Sequence, residues 1–538
     1  MKRCSVLLAA VFVASARVLP AQMEHEHGST PPARLGRVAF ATSCAAQAQP
    51  GFERGVALLH SFWYEEAARA FREAAAADTA CAMAYWGLAS SYLHPLWAPP
   101  PSADLQAGVA ALARARALNQ PTPREHDYVE AIGAFYDDYQ AASHLQRLRR
   151  WSRAMARLHE AHPEDAEAAI IHALTMIALA QSAPRDSALA LNRGAAEILG
   201  PLFERQPDHP GLAHYLIHAY DSPALAAVGA LAADRYASIA PSVPHARHMP
   251  SHIYTRLGQW DRSIASNTGS AAAAREYEVA QHLDGAWDQR LHAMDYLVYA
   301  YLQQGRERAA RRIVDQANGI RRYVPERGVT SEYALAAMPA RYALERGRWR
   351  EAAQLAVRDG FDPGAAACTR FARAVGAARS GDTVAARADL ALLVALDSGL
   401  AARQVPKWSG MVHAQRLAAE AWVARASGNT AAAVRLATQA ADLEDVTEKH
   451  PVTPGAILPA RELLGDMLLE LGRPVLARAA YDSALALQPR RARSLMGAAR
   501  AAELAGDRAA AGRYRRELRA LLARADAARR GVAAGRSE

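Results

Sequence analysis

Histidines recur at a fixed interval near the middle of the chain. The stretch "HYLIHAY" contains His214 and His218, and "PHARHMPSH" contains His245, His248 and His252. His214 lies 34 residues before His248, and His218 lies 34 residues before His252. Neutral imidazoles are good ligands for borderline divalent metals such as zinc, copper or iron. The spacing predicts that the two pairs occupy equivalent positions in consecutive structural repeats.

Counting back from Gly258 and Gly305 extends this register to a third repeat, and the first pair holds the same positions before residue 224. Asp295 and Tyr299 hold the equivalent positions in that third repeat, and Arg341 replaces a histidine one repeat later. His245 and His292 lie one helical turn earlier in their own repeats. The sequence therefore predicts a divalent-metal site with the ligands His214, His218, His248, His252 and Asp295. The surrounding surface is predicted to be lined by His245, His292, Tyr299 and Arg341.

Helical geometry supports this grouping but leaves an alternative open. Residues at i, i+3 and i+7 share one face of a helix, so His245, His248 and His252 point the same way. Pro250 removes a backbone donor between them and is expected to kink or restart the helix. Histidines that are simply hydrogen-bonded in a polar groove would give the same pattern, and the sequence contains no HExxH motif that would separate the two interpretations.

The wider sequence is repetitive. Gly347 and Gly381 are 34 residues apart, as are Gly472 and Gly506, and "AMAYWGLASSY" alternates small and large residues. These features resemble the tetratricopeptide repeat (TPR), a 34-residue helix–turn–helix unit. The resemblance implies an all-α fold, a right-handed superhelical solenoid of stacked helix–turn–helix repeats. About eleven or twelve repeats fit between residues 47 and 530.

Several longer segments narrow the resemblance. "HYLIHAYD", "PHARHMPSHI", "HAMDYLVYAYLQ" and "HPVTPGAILPARELLGD" resemble a bacterial, exported subgroup of TPR proteins. This resemblance implies that the histidine stripe faces a concave groove and that the groove binds a peptide or protein ligand. It does not supply a reaction.

The ends of the chain differ from the repeats in composition. Residues 1–21 combine Lys2 and Arg3 with an apolar stretch and a small residue at Ala21, which is typical of a secretory signal peptide. We expect a flexible mature N-terminus over 22–46, a continuous solenoid over 47–530 and a tail over 531–538. The product is expected to be periplasmic or secreted, with no transmembrane segment.

The charge pattern argues against nucleic acid as a partner. The formal net charge is +9, but the excess of arginine lies in residues 490–538 and the rest of the mature chain is nearly neutral.

No P-loop, G-x-S-x-G or C-x-x-C motif is present in the sequence. Three functions stay open: a binding scaffold, with or without a metal; a metal store or carrier; and a metal-dependent enzyme in which Tyr215, Tyr254 or Asp221 supplies protons.

Cysteine usage fits an oxidising compartment. After removal of the signal peptide, Cys44, Cys81 and Cys368 remain. Cys44 precedes the first predicted repeat helix and Cys81 lies at the following repeat boundary, so adjacent turns can bring them together. We predict a Cys44–Cys81 disulfide and a free, buried Cys368; three free thiols are the alternative.

The predicted signal peptide can be tested by the mass of the mature protein. Cleavage after Ala21 would give a mature chain that begins at Gln22. Intact-mass spectrometry of the protein purified from its native host measures this directly. A native protein that still contains residues 2–15 would contradict export by this route.

Overall fold

The structure, a computed structural model, describes residues 33–96, 99–403 and 406–527. Its α-helices are, in chain order, α1 (Gln49–His60), α2 (Tyr64–Ala77), α3 (Ala82–Ser91), α4 (Ser102–Ala117), α5 (Pro123–Tyr136), α6 (His144–Ala161), α7 (Ala166–Ala180), α8 (Arg185–Arg205), α9 (Pro210–Tyr220), α10 (Ala230–Ile239), α11 (Pro244–His248), α12 (Pro250–Arg256), α13 (Trp260–Ala280), α14 (Asp288–Gln303), α15 (Glu307–Gly319), α16 (Val329–Glu345), α17 (Trp349–Ala353), α18 (Pro363–Arg379), α19 (Thr383–Ala402), α20 (Pro406–Ala426), α21 (Thr430–Val446), α22 (Ala460–Glu470), α23 (Pro474–Leu487), α24 (Ala492–Leu504) and α25 (Arg508–Leu521). Two short strands, β1 (Ala286–Trp287) and β2 (Tyr323–Val324), pair in parallel.

These helices form twelve antiparallel pairs within the described residues, as the TPR pattern predicts. Most first helices pack against their own second helix and against the first helix of the next pair, as α14 does with α15 and α16. In one pair the first helix is divided into α11 and α12, because Pro250 restarts it two residues after His248. The fold is the predicted all-α solenoid of stacked, TPR-like helix pairs.

Local sequence signals fix where the helices begin and end. Ser143 and Gln146 form a capping box that starts α6, and the Asp165 carboxylate caps α7. Glycines with positive φ follow the first helices of seven repeats: Gly258, Gly305, Gly347, Gly381, Gly428, Gly472 and Gly506. The turn positions deduced from the 34-residue spacing are therefore confirmed.

First helices from distant repeats also meet each other. Helix α1 contacts α9, and α14 contacts α24. Arg491, just before α24, is fully buried and donates to Glu345 at 2.6 Å, to Glu462 at 2.8 Å and to the Tyr299 hydroxyl at 2.7 Å. The inner face of the solenoid is therefore closed by its own chain in this region, where the sequence had predicted an open groove.

The N-terminal segment departs from expectation. Residues 22–32 lie outside the described part of the chain, as does the predicted signal peptide, but residues 34–46 pack against the repeats. Phe40 is fully buried, its ring centroid 5.3 Å from that of Phe52 and 5.0 Å from that of Tyr128. The backbone N–H of Arg37 donates to the carbonyl of Asp208. The prediction of a flexible segment over 22–46 is wrong for residues 34–46, because the buried Phe40 ring anchors them to the repeats.

The cysteines are arranged as the repeat boundaries suggest. Cys44 and Cys81 form a disulfide with their Cα atoms 4.8 Å apart, and Cys368 is free and buried in α18. The bridge links the N-terminal segment to the start of α3. Among the described residues, none of the helices combines the length and apolarity needed to span a membrane.

The closure of the solenoid predicts a difference between two turn glycines. Gly258 has φ +64°, and a Cβ there would lie 2.5 Å from the Pro489 carbonyl oxygen. Gly381 has φ +88° with no atom within 4 Å of such a Cβ. We expect Gly258→Ala to lower the free energy of unfolding by about 2–4 kcal/mol and Gly381→Ala by about 1 kcal/mol. Urea denaturation of both variants measures this; equal losses would contradict the close approach of residue 489.

Candidate metal centre

Six histidines converge inside the closed solenoid. They come from α9, α11, α12 and α14, and each is buried, with between 0% and 7% of its surface exposed. Their ring nitrogens form two groups of three within which all ligand atoms lie within 4.8 Å of one another. The first group (triad 1) is His214, His218 and His245. The second group (triad 2) is His248, His252 and His292.

The Nε2 atoms are the ones that approach most closely. In triad 1, His214 Nε2 is 3.1 Å from His218 Nε2 and 3.2 Å from His245 Nε2. In triad 2, His248 Nε2 is 3.0 Å from His252 Nε2. The two triads are adjacent, with ring centroids 6.1 Å apart between His218 and His252.

The opposite ring nitrogens are held by hydrogen-bond acceptors. His214 Nδ1 is 2.6 Å from the backbone oxygen of His60, and His252 Nδ1 is 2.8 Å from Asp221 Oδ2. His248 Nδ1 is 2.6 Å from the side-chain oxygen of Asn267. The oxygen and nitrogen of the Asn267 amide cannot be exchanged without losing a hydrogen bond, because Nδ2 donates to the Ser263 carbonyl at 2.8 Å.

These contacts fix the tautomers of three imidazoles. Carbonyl and carboxylate oxygens only accept hydrogen bonds, so Nδ1 carries the proton in His214, His248 and His252. In their neutral form each then presents an unprotonated Nε2 to the centre of its triad. The Nε2 atoms of His248 and His252 face each other as two lone pairs, which cannot hydrogen-bond to one another. A proton or a metal ion between them is what this geometry accommodates.

Burial disfavours the protonated, charged form of these histidines. Removal from water lowers the pKa of all six imidazoles, and the neighbouring histidines lower it further in five of them: His214, His218, His245, His248 and His292. For His252, Asp221 opposes the effect of burial without cancelling it. Burial would raise the pKa of Asp221, but Lys449, Arg256 and His252 outweigh it and hold that pKa well below its ordinary value.

One loop covers the cluster. The covering segment (residues 447–459, between α21 and α22) is tied down by Lys449, whose ammonium donates to Asp221 at 2.8 Å. The carbonyl of Thr453 accepts from the Tyr296 hydroxyl at 3.2 Å. Pro451 closes a narrow gap lined by His218, His245 and His252. Residues distant in sequence therefore complete the site.

Asp295 does not join either triad. Its Oδ1 accepts from Arg341 Nε at 3.1 Å, and both side chains are fully buried. Arg341 also donates to the Gly455 and Ala456 carbonyls of the covering segment. The predicted convergence of Asp295 with the four histidines is not what the structure contains, because a buried carboxylate is stabilised most by the nearby guanidinium.

The predicted surrounding residues also separate. His245 and His292, expected beside the ligands, lie within triads 1 and 2. Tyr299 instead binds Arg491 and Gln488, away from the histidines. Along the chain, Asp295 and Tyr299 do occupy the positions that His248 and His252 hold in the preceding repeat. In space, however, α14 turns a different part of its surface to the cluster, the helical turn before Asp295, which bears His292.

A third group lies next to triad 1. His60 Nε2 and His209 Nε2 each contact one oxygen of Glu167 at 2.8 Å, and His60 Nδ1 is 2.9 Å from the Tyr215 hydroxyl. The group is a hydrogen-bonded network in which the carboxylate bridges the two imidazoles, while the buried His209 Nδ1 has no partner within the described residues. It holds in place the His60 carbonyl that accepts from His214.

Sequence reasoning missed most of the supporting residues. Asn267, Lys449 and Gln289, whose side-chain oxygen is 3.2 Å from His245 Nδ1, carry no local motif. They reach the cluster from a second helix, a distant loop and a helix start, respectively. The sequence interpretation gives Asp221 only the role of a proton donor, yet this residue follows "HYLIHAY" directly. Its position one residue after the end of α9 was the available signal.

Comparison with known proteins gives architecture alone. No protein-family model matches the sequence, and no curated protein matches it. Among solved structures, the chain is similar to the human IFIT1 dimer with PPP-AAAA, with 13% identity, a TM-score of 0.37, and coverage of 87% of this chain and 89% of that one. It is also similar to the APC/C hetero-tetramer Cut9–Hcn1 (14%, TM-score 0.35, 86% and 78%) and to yeast Tom70 (12%, TM-score 0.25, 91% and 94%). Likenesses this distant carry no argument about what the chain binds.

The neutral imidazoles predict a pH dependence for the metal-free protein. In the unfolded chain histidines take up protons as the pH falls through about 6.5. Burial lowers the pKa of the six in the folded chain, so between that lowered pKa and about 6.5 the unfolded state binds more protons. The free energy of unfolding should fall in this window by up to about 1.4 kcal/mol per histidine for each pH unit.

Urea denaturation in the presence of a chelator at several pH values between about 5 and 8 measures this slope. His248→Gln is expected to reduce it by about one proton. His126→Gln is the matched control, because His126 is exposed and outside the cluster. A free energy of unfolding that stays constant below about pH 6.5 would contradict neutral, buried imidazoles.

Proposed function

We propose that this chain is an exported helical-repeat protein that binds a divalent transition metal in its closed interior, through triads 1 and 2. The observation that carries the proposal is the pair of unprotonated Nε2 atoms of His248 and His252, 3.0 Å apart and buried. A buried acceptor without a donor costs about 1–3 kcal/mol, and the Tyr296 hydroxyl, 3.3 Å from His252 Nε2, supplies at most one proton to the two facing Nε2 atoms. A cation between them removes that cost.

The spacing and the supporting contacts fit a metal. In a tetrahedral site with metal–nitrogen bonds of 2.0–2.1 Å, the ligand nitrogens lie about 3.3 Å apart. The observed Nε2 separations are 3.0–3.2 Å. Metal-bound histidines usually donate their other ring N–H to a carboxylate or carbonyl oxygen. His252 meets that description through Asp221, and His214 through the His60 carbonyl.

The ligand type restricts the metal. Imidazole suits zinc, copper and iron, whereas magnesium and calcium require oxygen ligands. Neutral ligands leave the cation charge to be balanced by Asp221, which itself faces Lys449 and Arg256. An ion held by either triad keeps a coordination position for water or another ligand, since each triad supplies three nitrogens.

A metal-dependent enzyme is the second candidate. The observation in its favour is a cavity of about 200 Å³ that reaches His218 and Asp221. A peptide-binding groove at the histidines is less well supported, because the covering segment and the neighbouring helices bury them. A metal store or carrier would use the same ligands and would differ in releasing the ion readily.

Metal binding can be tested with purified, exported protein. We expect zinc, copper or iron to be retained in stoichiometric amount after dialysis and to be measurable by elemental mass spectrometry. Added metal should raise the melting temperature, because it binds the folded state preferentially. The double variant His248→Gln/His252→Gln is expected to lose both the bound ion of triad 2 and most of this stabilisation.

The matched control is His126→Gln/His413→Gln, which alters two histidines outside the cluster, the exposed His126 and the half-buried His413. It should bind metal and be stabilised as the unaltered protein is. Equal stabilisation of the unaltered protein and the His248/His252 variant would contradict the proposal. Rapid loss of a bound ion to a weak chelator would favour the carrier over the enzyme.

A further inference from the structure

The cavity of about 200 Å³ beside the histidine cluster has a defined lining. His218 and Asp221 form the wall nearest the cluster, Lys449 comes from the covering segment, and Lys407 and Arg185 come from the starts of α20 and α8. A volume of about 10–15 Å³ on this measure already holds one water molecule. The cavity therefore has room for a small molecule of several heavy atoms.

The carboxylates near the cavity are already committed. Asp221 accepts from Lys449 at 2.8 Å, from Arg256 at 2.9 Å and from His252 at 2.8 Å. Glu448 pairs with the same Arg256, at 3.3 Å. Two carboxylates thus meet the two cations of Lys449 and Arg256, with an imidazole N–H in addition.

Two further cations have no such partner. The Lys407 ammonium contacts only neutral oxygens, the Gln181 side chain at 2.6 Å and the Lys449 carbonyl at 3.5 Å. The Arg185 guanidinium makes no ion pair or hydrogen bond with any residue that the structure describes. Burial lowers the pKa of Lys407 to about 8, which still leaves it mostly charged at neutral pH. The lining therefore carries an excess of positive charge.

Uncharged groups in the same lining also have unused hydrogen-bonding capacity. The Ser222 hydroxyl is buried and has no partner within the described residues, and the same holds for the Asn192 side-chain oxygen. Because an amide can be turned end for end, Asn192 can offer either its oxygen or its NH₂ group. A hydroxyl, an amide and two cations facing one cavity are the groups that recognise an oxyanion.

We propose that this cavity binds a small oxyanion, a phosphate or a carboxylate, and brings it to the histidine cluster. The anion lies between Lys407 and Arg185 on one side and His218 on the other. His218 lines both this cavity and the gap between the triads. Binding of the anion follows from the cavity alone, whereas its coordination to a metal rests on the proposed function.

Anion binding is tested first on the full-length, metal-free protein. Isothermal titration with inorganic phosphate and, separately, with acetate is expected to show one site, and the tighter of the two identifies the kind of oxyanion. Lys407→Gln and Arg185→Gln should each weaken binding about tenfold, a loss that added sodium chloride reproduces in part. Lys407→Arg keeps the charge and should retain most of the affinity.

Arg321→Gln is the control, since this exposed arginine lies away from the cavity and contacts only a carbonyl of its own turn. It should leave the affinity unchanged. If neither phosphate nor acetate binds, or if the Lys407→Gln and Arg185→Gln variants, shown by circular dichroism to be folded, bind as the unaltered protein does, the proposal is overturned.

Delivery to the metal is tested with cobalt, whose visible absorption reports its ligands. In the cobalt-loaded protein, the anion identified above should change the absorption spectrum, and Lys407→Gln should need about tenfold more anion for the same change. Anion binding without a spectral change overturns delivery and leaves the anion site. Anion binding in a protein that takes up no cobalt overturns the proposed function instead.

Discussion

The closure of the solenoid on itself is the constraint from which the site follows. Contact between α1 and α9, together with the covering segment, removes the inner histidine stripe from water. In a water-filled groove each imidazole would find solvent partners, and its tautomer would be free. In the closed interior every ring nitrogen must be accounted for by a neighbouring protein atom or a ligand.

The hydrogen-bond partners of the ring nitrogens determine what the cluster can bind. In His214, His248 and His252 an acceptor behind the ring holds the Nδ1 proton, so the Nε2 lone pair points inward. Burial and mutual repulsion lower the imidazole pKa values, so protons are poor partners for those lone pairs. A buried cation has neither handicap, since several neutral nitrogens can bind it at once. The same low-polarity surroundings strengthen the attraction between the unpaired cations of the adjacent cavity and an anion.

The repeat architecture explains how distant residues reach one place. The first helices of three consecutive repeats contribute two, three and one histidines, and their packing places these side chains side by side. Contacts between non-consecutive repeats then add residues that no local pattern connects: the His60 carbonyl from the first repeat, and Lys449 from the covering segment. Arg341 and Arg491 reinforce this closure, because each buried guanidinium joins several segments through hydrogen bonds to their carboxylates, hydroxyls or carbonyls.

The helix pairs, their turns and the equivalence of His214 with His248 and of His218 with His252 are predictable from the sequence, because periodicity and turn chemistry are local properties of the chain. The sequence also indicates that Pro250 divides a helix. That His292 faces the cluster while Asp295 faces Arg341, and that the groove is closed, follows from the packing of the helices in three dimensions. Those outcomes depend on how far each helix rotates about its axis and on which distant segment packs against it. Neither quantity is encoded in the spacing of residues along one repeat.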